Sequence, residues 1–156
     1  MAELNDNNTI IGHNMIIAVV DEAWRGQVTD FVAEKAFVYK LDAETYSFIG
    51  FIEDNKIVGG LLFTDYDGHN VYVHLALDDP RICQRRFIKL MFSYCFNQLR
   101  CGRVTAVTMN GKKRNEKLIN GVGFTKEGVI RKAFNKGDHY VDAAVYGMLK
   151  DECKWI

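Results

Sequence analysis

Three apolar runs strung on tight turns leave this chain few folds to choose from. Thr45 to Ile52 is aromatic and β-branched and ends in Glu53-Asp54-Asn55-Lys56, a cluster of turn formers. Ile57 to Thr64 follows, Asp67-Gly68 marks a second turn, and Val71 to Leu77 completes a third run. Each run has strand length and strand composition, so together they predict an antiparallel meander. A helical bundle has no place for such a unit, and the rest of the chain must cover its faces.

The flanks supply that cover. Met15 to Val20 reads as a buried strand, and Asp21 as the N-cap of a helix on which Trp24, Val28, Phe31, Val32 and Ala36 recur at helical spacing. Pro80 is the only proline of the chain. With Asp79 as N-cap it opens a long helix, whose stripe of Phe87, Ile88, Met91, Tyr94, Cys95 and Leu99 runs to a stop at Arg100-Cys101-Gly102. Val104 to Val107 is a short strand, and Lys113 to Asn120 a polar-faced helix ended by Gly121. Val122 to Ile130 and Val141 to Leu149 are strands on either side of the turn Asn135-Lys136-Gly137-Asp138. Hairpins mixed with helical crossovers predict an α/β (α+β) domain over residues 14–156, with a mixed central sheet of about six to seven strands and flanking helices. Residues 1–13, polar around Asn5-Asp6-Asn7-Asn8, read as a flexible lead-in.

Charge narrows the function classes. Lys plus Arg equals Asp plus Glu at 20 each among 156 residues, so no chain-wide basic field draws nucleic acid or an anionic membrane. No apolar run reaches the ~18 residues of a membrane span, and the acidic start lacks a signal-like basic segment. The four cysteines, Cys83, Cys95, Cys101 and Cys153, lack Cys-x-x-Cys spacing. They are expected to be reduced thiols of a cytoplasmic protein, with no metal site.

Val122-Gly123-Phe124-Thr125-Lys126-Glu127-Gly128-Val129-Ile130-Arg131, the closing stretch Tyr146-Gly147-Met148-Leu149, Glu152 and the element order from residue 15 onward together resemble the GNAT N-acetyltransferases. Gly68-His69 to His74-Leu75-Ala76, Arg85-Arg86-Phe87 and the segment from Tyr146 to Trp155 resemble, more narrowly, small members from bacteriophages and prophages. The resemblance implies the acyl-CoA N-acyltransferase fold and transfer of an acetyl group from acetyl-CoA (acetyl-coenzyme A) to an amine by direct attack in a ternary complex. It places the oxyanion-binding backbone N–H in Leu75-Ala76-Leu77.

The family's pyrophosphate loop carries two small residues so that backbone N–H groups at a helix start can reach the phosphates. Here the matching stretch is Gln84-Arg85-Arg86-Phe87-Ile88-Lys89, and Phe87 and Lys89 fill both small positions. Either Arg81, Arg85 and Arg86 replace those contacts by guanidinium–phosphate pairs, or the loop has lost the cofactor and the arginines are a solvated face. In the second case the chain is a catalytically degenerate binding or structural protein of a bacteriophage. Counted back from Gly123, the family's cofactor-contacting asparagine falls on Lys112, with Asn110 two residues earlier as the candidate substitute, though Asn110-Gly111 is also plain turn chemistry. Asn115, also a candidate cofactor contact, falls where the family often has Ser or Ala. Lys112-Lys113-Arg114 could screen the adenosine 3′-phosphate or be the solvated first turn of a helix.

For chemistry, alternation puts Tyr72, His74 and Ala76 on one strand face, and His74 is the candidate base for the amine; the competing reading is a structural histidine. The family's frequent acid is a tyrosine four residues before Gly-Phe, where this chain has Ile119. Tyr146 is the candidate substitute, with packing as its other reading and solvent as the other proton source. The acceptor pocket is expected from Trp24, Phe37, Tyr39, Asp42, Glu44, Phe134, His139 and Tyr140, with the two carboxylates suited to a cationic amine. A homodimer or a phage or host protein partner stays open.

Overall fold

A computed structural model of the chain describes residues 2–4, 10–12, 15–36 and 45–156. Ala2–Leu4 (β1) and Ile10–Gly12 (β2) pair with each other as a separate antiparallel ladder. The main sheet has seven strands in the order β3-β4-β5-β6-β7-β9-β8. They are Ile17–Val19 (β3), Ser47–Glu53 (β4), Lys56–Thr64 (β5), Asn70–Leu77 (β6), Arg103–Met109 (β7), Thr125–Asn135 (β8) and Tyr140–Leu149 (β9). Every neighbouring pair is antiparallel except β6 with β7. The meander is β4-β5-β6, and its first hairpin closes over Asp54 and Asn55, both at positive φ as a two-residue turn of matching twist requires.

Alternation along the meander divides the core between the two faces. Phe48, Leu62 and Ala76 pack under helix α1 (Arg25–Ala36) against Val28 and Val32. Gly60 lets α1 lie close to the sheet, since a Cβ there would stand 2.8 Å from Val32 and 2.9 Å from Val28. Ile49, Phe51, Leu61, Phe63, Val71 and Val73 point to the other face, where helix α2 (Arg85–Phe92) brings Phe87, Met91 and Phe92. A π-helical turn, Ser93–Gln98, continues α2 and adds Cys95 and Phe96 to the same core.

Two helix boundaries differ from the sequence expectation. Asp79 does cap, accepting from the Arg81 N–H at 2.9 Å, but it caps only a single 3₁₀ turn, Pro80–Ile82. Cys83 then leaves helical geometry, and α2 starts afresh with extended Gln84 as its N-cap. Helix α3 (Lys113–Val122) passes Gly121 and ends at Gly123, whose φ of 114° supplies the left-handed cap that closes on Ile119 and Asn120.

Candidate functional site

The parallel pair β6–β7 is zipped only from Asn70↔Arg103 to Val73↔Ala106. Beyond it β6 stays with β5 (Leu75↔Leu61, Ala76↔Gly60, Leu77↔Gly59) while β7 stays with β9 (Val107↔Val145, Thr108↔Ala144, Met109↔Ala143). The strands therefore splay, and the edge of β6 facing β7 has no ladder partner over 74–77 among the described residues. The wedge between them holds about 530 Å³. Leu75, Ala76 and Leu77 form one wall, Val107, Thr108 and Met109 the other, and Leu118 and Ile119 of α3 lie alongside. Leu75 is 38% exposed although it points to the core side of its strand, because the neighbour that would cover it has moved away.

Polar groups edge this wedge. Asn115 donates to Thr108 Oγ1 at 3.1 Å, and both line it. Lys112 and Arg114 stand beside them at the start of α3, and Lys35 comes from the end of α1, where it pairs with Asp78 at 2.7 Å. Cys83 is the cysteine among the lining residues. Burial raises its thiol pKa, with Arg114 pulling the other way. Apolar walls, a row of backbone groups without ladder partners and cations among the lining groups suit an elongated ligand that carries negative charge.

Of the expected site residues, Leu75, Ala76, Leu77 and Asn115 meet in this wedge. The arginines of the α2 start do not line it. Arg81 lies 2.6 Å from the carboxylates of both Asp79 and Glu53. Arg86 donates to the Ile16 carbonyl at 3.0 Å and stacks 4.3 Å over Phe87, which holds it against the strand side of α2. Arg85 is exposed, and Gln84 makes no side-chain cap bond. Phe87 is 6% exposed and packs edge-on against Phe51 at 4.9 Å, so its ring is core and does not block the helix start.

Asn110 accepts from Lys126 at 3.0 Å and serves the β8–β9 side. Tyr146 is 1% exposed inside the α2-side core, and burial followed by the Glu116 charge raises its pKa. His74 lies on the α1 face, half-buried, with Nε2 2.9 Å from Thr64 Oγ1. Burial lowers its pKa and the Asp65 charge partly offsets this, which favours the neutral imidazole.

On the acceptor side, Trp24 packs with α1, Phe134 lines the wedge, His139 pairs with Asp138, and Tyr140 is exposed. Phe37, Tyr39, Asp42 and Glu44 lie outside the described residues. Sequence reasoning missed Lys35, Cys83 and Met109 as lining groups; only the splay of two strands brings them together.

No protein-family model matches the chain. It is 29% identical to the SPbeta prophage-derived uncharacterized N-acetyltransferase YokL of Bacillus subtilis, over 72% of this chain and 67% of that protein. Its fold matches the ribosomal-protein-S5-alanine acetyltransferase of Vibrio fischeri at a TM-score of 0.68, with 14% identity over 92% of this chain and 97% of that one. It also matches a mutant form of the spermidine/spermine N-acetyltransferase SpeG of Vibrio cholerae at 0.69, with 12% identity over 88% and 96% of the two chains. Fold and sequence agree: the chain has the fold of the GNAT acetyltransferases, to which a Bacillus anthracis structure that it also matches belongs, and it resembles the prophage-derived YokL in sequence.

Proposed function

We propose that this protein transfers an acetyl group from acetyl-CoA to an amine, by direct attack in a ternary complex. The observation that carries the reading is the splayed β6–β7 wedge, with its unpartnered strand edge and its cations at the α3 start. The wedge suits acetyl-CoA. Its walls are apolar enough for a pantetheine arm, the edge of β6 offers amide groups to pair with that arm, and Lys112 and Arg114 can meet phosphate. When bound, the cofactor supplies an activated thioester.

The residues of the chain then have separate tasks. Backbone N–H groups in Leu75-Ala76-Leu77 stabilise negative charge on the carbonyl oxygen, at no cost in side-chain reorganisation. Asn115 and Thr108 orient the cofactor arm. The start of α2 offers its first N–H groups to the pyrophosphate, and the burial of Phe87 removes one of the two steric objections to that role, with Lys89 exposed one turn along. That burial also weakens the reading of a chain that only binds. His74, on the α1 face of β6 and outside the wedge lining, accepts the proton of the incoming amine through a water, and its burial favours the neutral ring that can do so. Cys83 is held as a protonated thiol, which favours direct attack over an acyl-cysteine route. Tyr146 is 1% exposed, which leaves solvent as the readier source of a proton for the leaving group.

The test is a thermal melt with and without acetyl-CoA, followed by an acceptor screen read by mass spectrometry. Ligand at ~100 times its dissociation constant adds about 2.7 kcal/mol, a shift of several degrees for a domain of this size. Absence of any shift at millimolar acetyl-CoA overturns the reading. The structural relatives are named for a ribosomal-protein alanine and for spermidine and spermine, so the screen should span protein and polyamine acceptors.

A further inference from the structure

We infer that Thr64 and Asp65 are positioning residues that fix the tautomer of His74, leaving Nδ1 as its proton-accepting atom. The inference rests on the acetyltransferase reading but uses contacts that reading does not. Thr64 ends β5 opposite Tyr72, and His74 lies two residues further along β6 on the same sheet face, which puts the two side chains at a diagonal cross-strand position. Thr64 is 5% exposed, one of the few buried polar side chains among the described residues. Asp65, at a positive φ of 53°, turns out of the strand, and its carboxylate reaches back to the hydroxyl beside it.

The hydrogen count decides the rest. Thr64 Oγ1 carries one proton, and Asp65 Oδ2 at 2.8 Å can only accept it. Thr64 Oγ1 must therefore accept at its other contact, so His74 Nε2, at 2.9 Å, is the N–H that donates. In the neutral ring the second nitrogen, Nδ1, then holds the free lone pair, and it has no partner among the described residues. When an acceptor ammonium gives up a proton, its N–H bond breaks, the electron pair stays on the amine nitrogen, and the proton joins Nδ1. The resulting imidazolium keeps Nε2–H on the hydroxyl, whose dipole ends on a negative carboxylate. The chain of contacts thus holds the ring's orientation and favours its charged form at the moment that form is needed.

Long-range proton–nitrogen NMR on the full chain reads the tautomer directly, with His74→Gln assigning the resonance. Wild type should show Nε2–H with a pyridine-type Nδ1. Thr64→Val, nearly isosteric, should lose that preference while keeping a folded spectrum, and Thr64→Ser should restore it. An Nδ1–H ring in the wild type, or a tautomer untouched by Thr64→Val, overturns the inference. If the protein binds no acetyl-CoA, the functional reading fails while this measurement still decides the tautomer. With an active acceptor, Thr64→Val should also lower kcat by about tenfold or more, leave KM for acetyl-CoA unchanged, and be rescued by Ser.

Discussion

Two basic clusters open two helices of this protein, and they do different things. At the start of α2, Arg81 and Arg86 are tied into the surrounding structure: one bridges Asp79 and Glu53, the other fastens α2 to Ile16. At the start of α3, Lys112 and Arg114 line the wedge between the splayed strands. Both clusters look alike as strings of charge. The difference is that carboxylates and a carbonyl within reach claim the first set, whereas the second set borders a space with apolar walls. A cation whose charge is already matched by fixed neighbours has less to offer a ligand, because binding must break the existing pair first.

Replacing Phe87 by Ala tests the structural side of this contrast and should give the largest effect. A buried phenylalanine packed against Phe51 is worth about 3–5 kcal/mol on truncation, a loss of roughly 10 °C in Tm. Acetyl-CoA binding by the protein that remains folded should persist, since the ring does not line the wedge. A variant with unchanged Tm would mean that the ring is not in the core and that the α2 start is built for something else.

Next comes the Lys112→Ala, Arg114→Ala pair. Charge-assisted contacts to phosphate contribute about 1.5–3 kcal/mol each, so the dissociation constant for acetyl-CoA should rise tenfold or more by calorimetry, with Tm of the free protein nearly unchanged. The variant should also flatten the salt dependence of binding. Equal affinity for wild type and variant would break the comparison, since the α3 cations would then be a solvated face.

Arg81→Ala and Arg86→Ala should behave in the opposite way. Loss of Arg86 removes its stacking on Phe87 and its bond to the Ile16 carbonyl, about 0.5–1 kcal/mol at an exposed site. Loss of Arg81 leaves Asp79 and Glu53 facing each other without their shared cation, which lowers Tm. Neither should weaken acetyl-CoA binding by more than about twofold, which is roughly 0.4 kcal/mol.

The element order could be read from the chain because it is written in short-range signals: the turn at Asp54-Asn55, the alternation through Val71 to Leu77, the cap at Asp79. The wedge was legible in part. Leu75, Ala76 and Leu77 came from the resemblance, and they meet Asn115 in space. What stayed hidden depends on side-chain direction across long sequence separations. Nothing near Arg86 announces a carbonyl 70 residues earlier, and nothing near Phe87 announces Phe51. The π-helical turn at Ser93–Gln98 has no sequence signature either, since it is the packing of Cys95 and Phe96 that makes it worthwhile. Gly121 was the nearest plausible helix stop by spacing, but only Gly123 sits where a left-handed φ lets the chain turn into β8.

Arg85 gives the smallest expected effect and the sharpest reading of the contrast. It lies between Arg81 and Arg86 in sequence, it is exposed, and the wedge is lined without it. If the side chains at the α2 start take no part in holding phosphate, then Arg85→Ala should leave both Tm and the dissociation constant for acetyl-CoA within error of wild type. The N–H groups of Arg85 and Arg86 would still be in place, because the substitution does not touch the backbone. A tenfold loss of affinity in Arg85→Ala, with no loss in the Lys112→Ala, Arg114→Ala pair, would reverse the assignment of the two clusters. The guanidinium at the α2 start would then reach the phosphates from outside the helix, in place of backbone groups at its first turn.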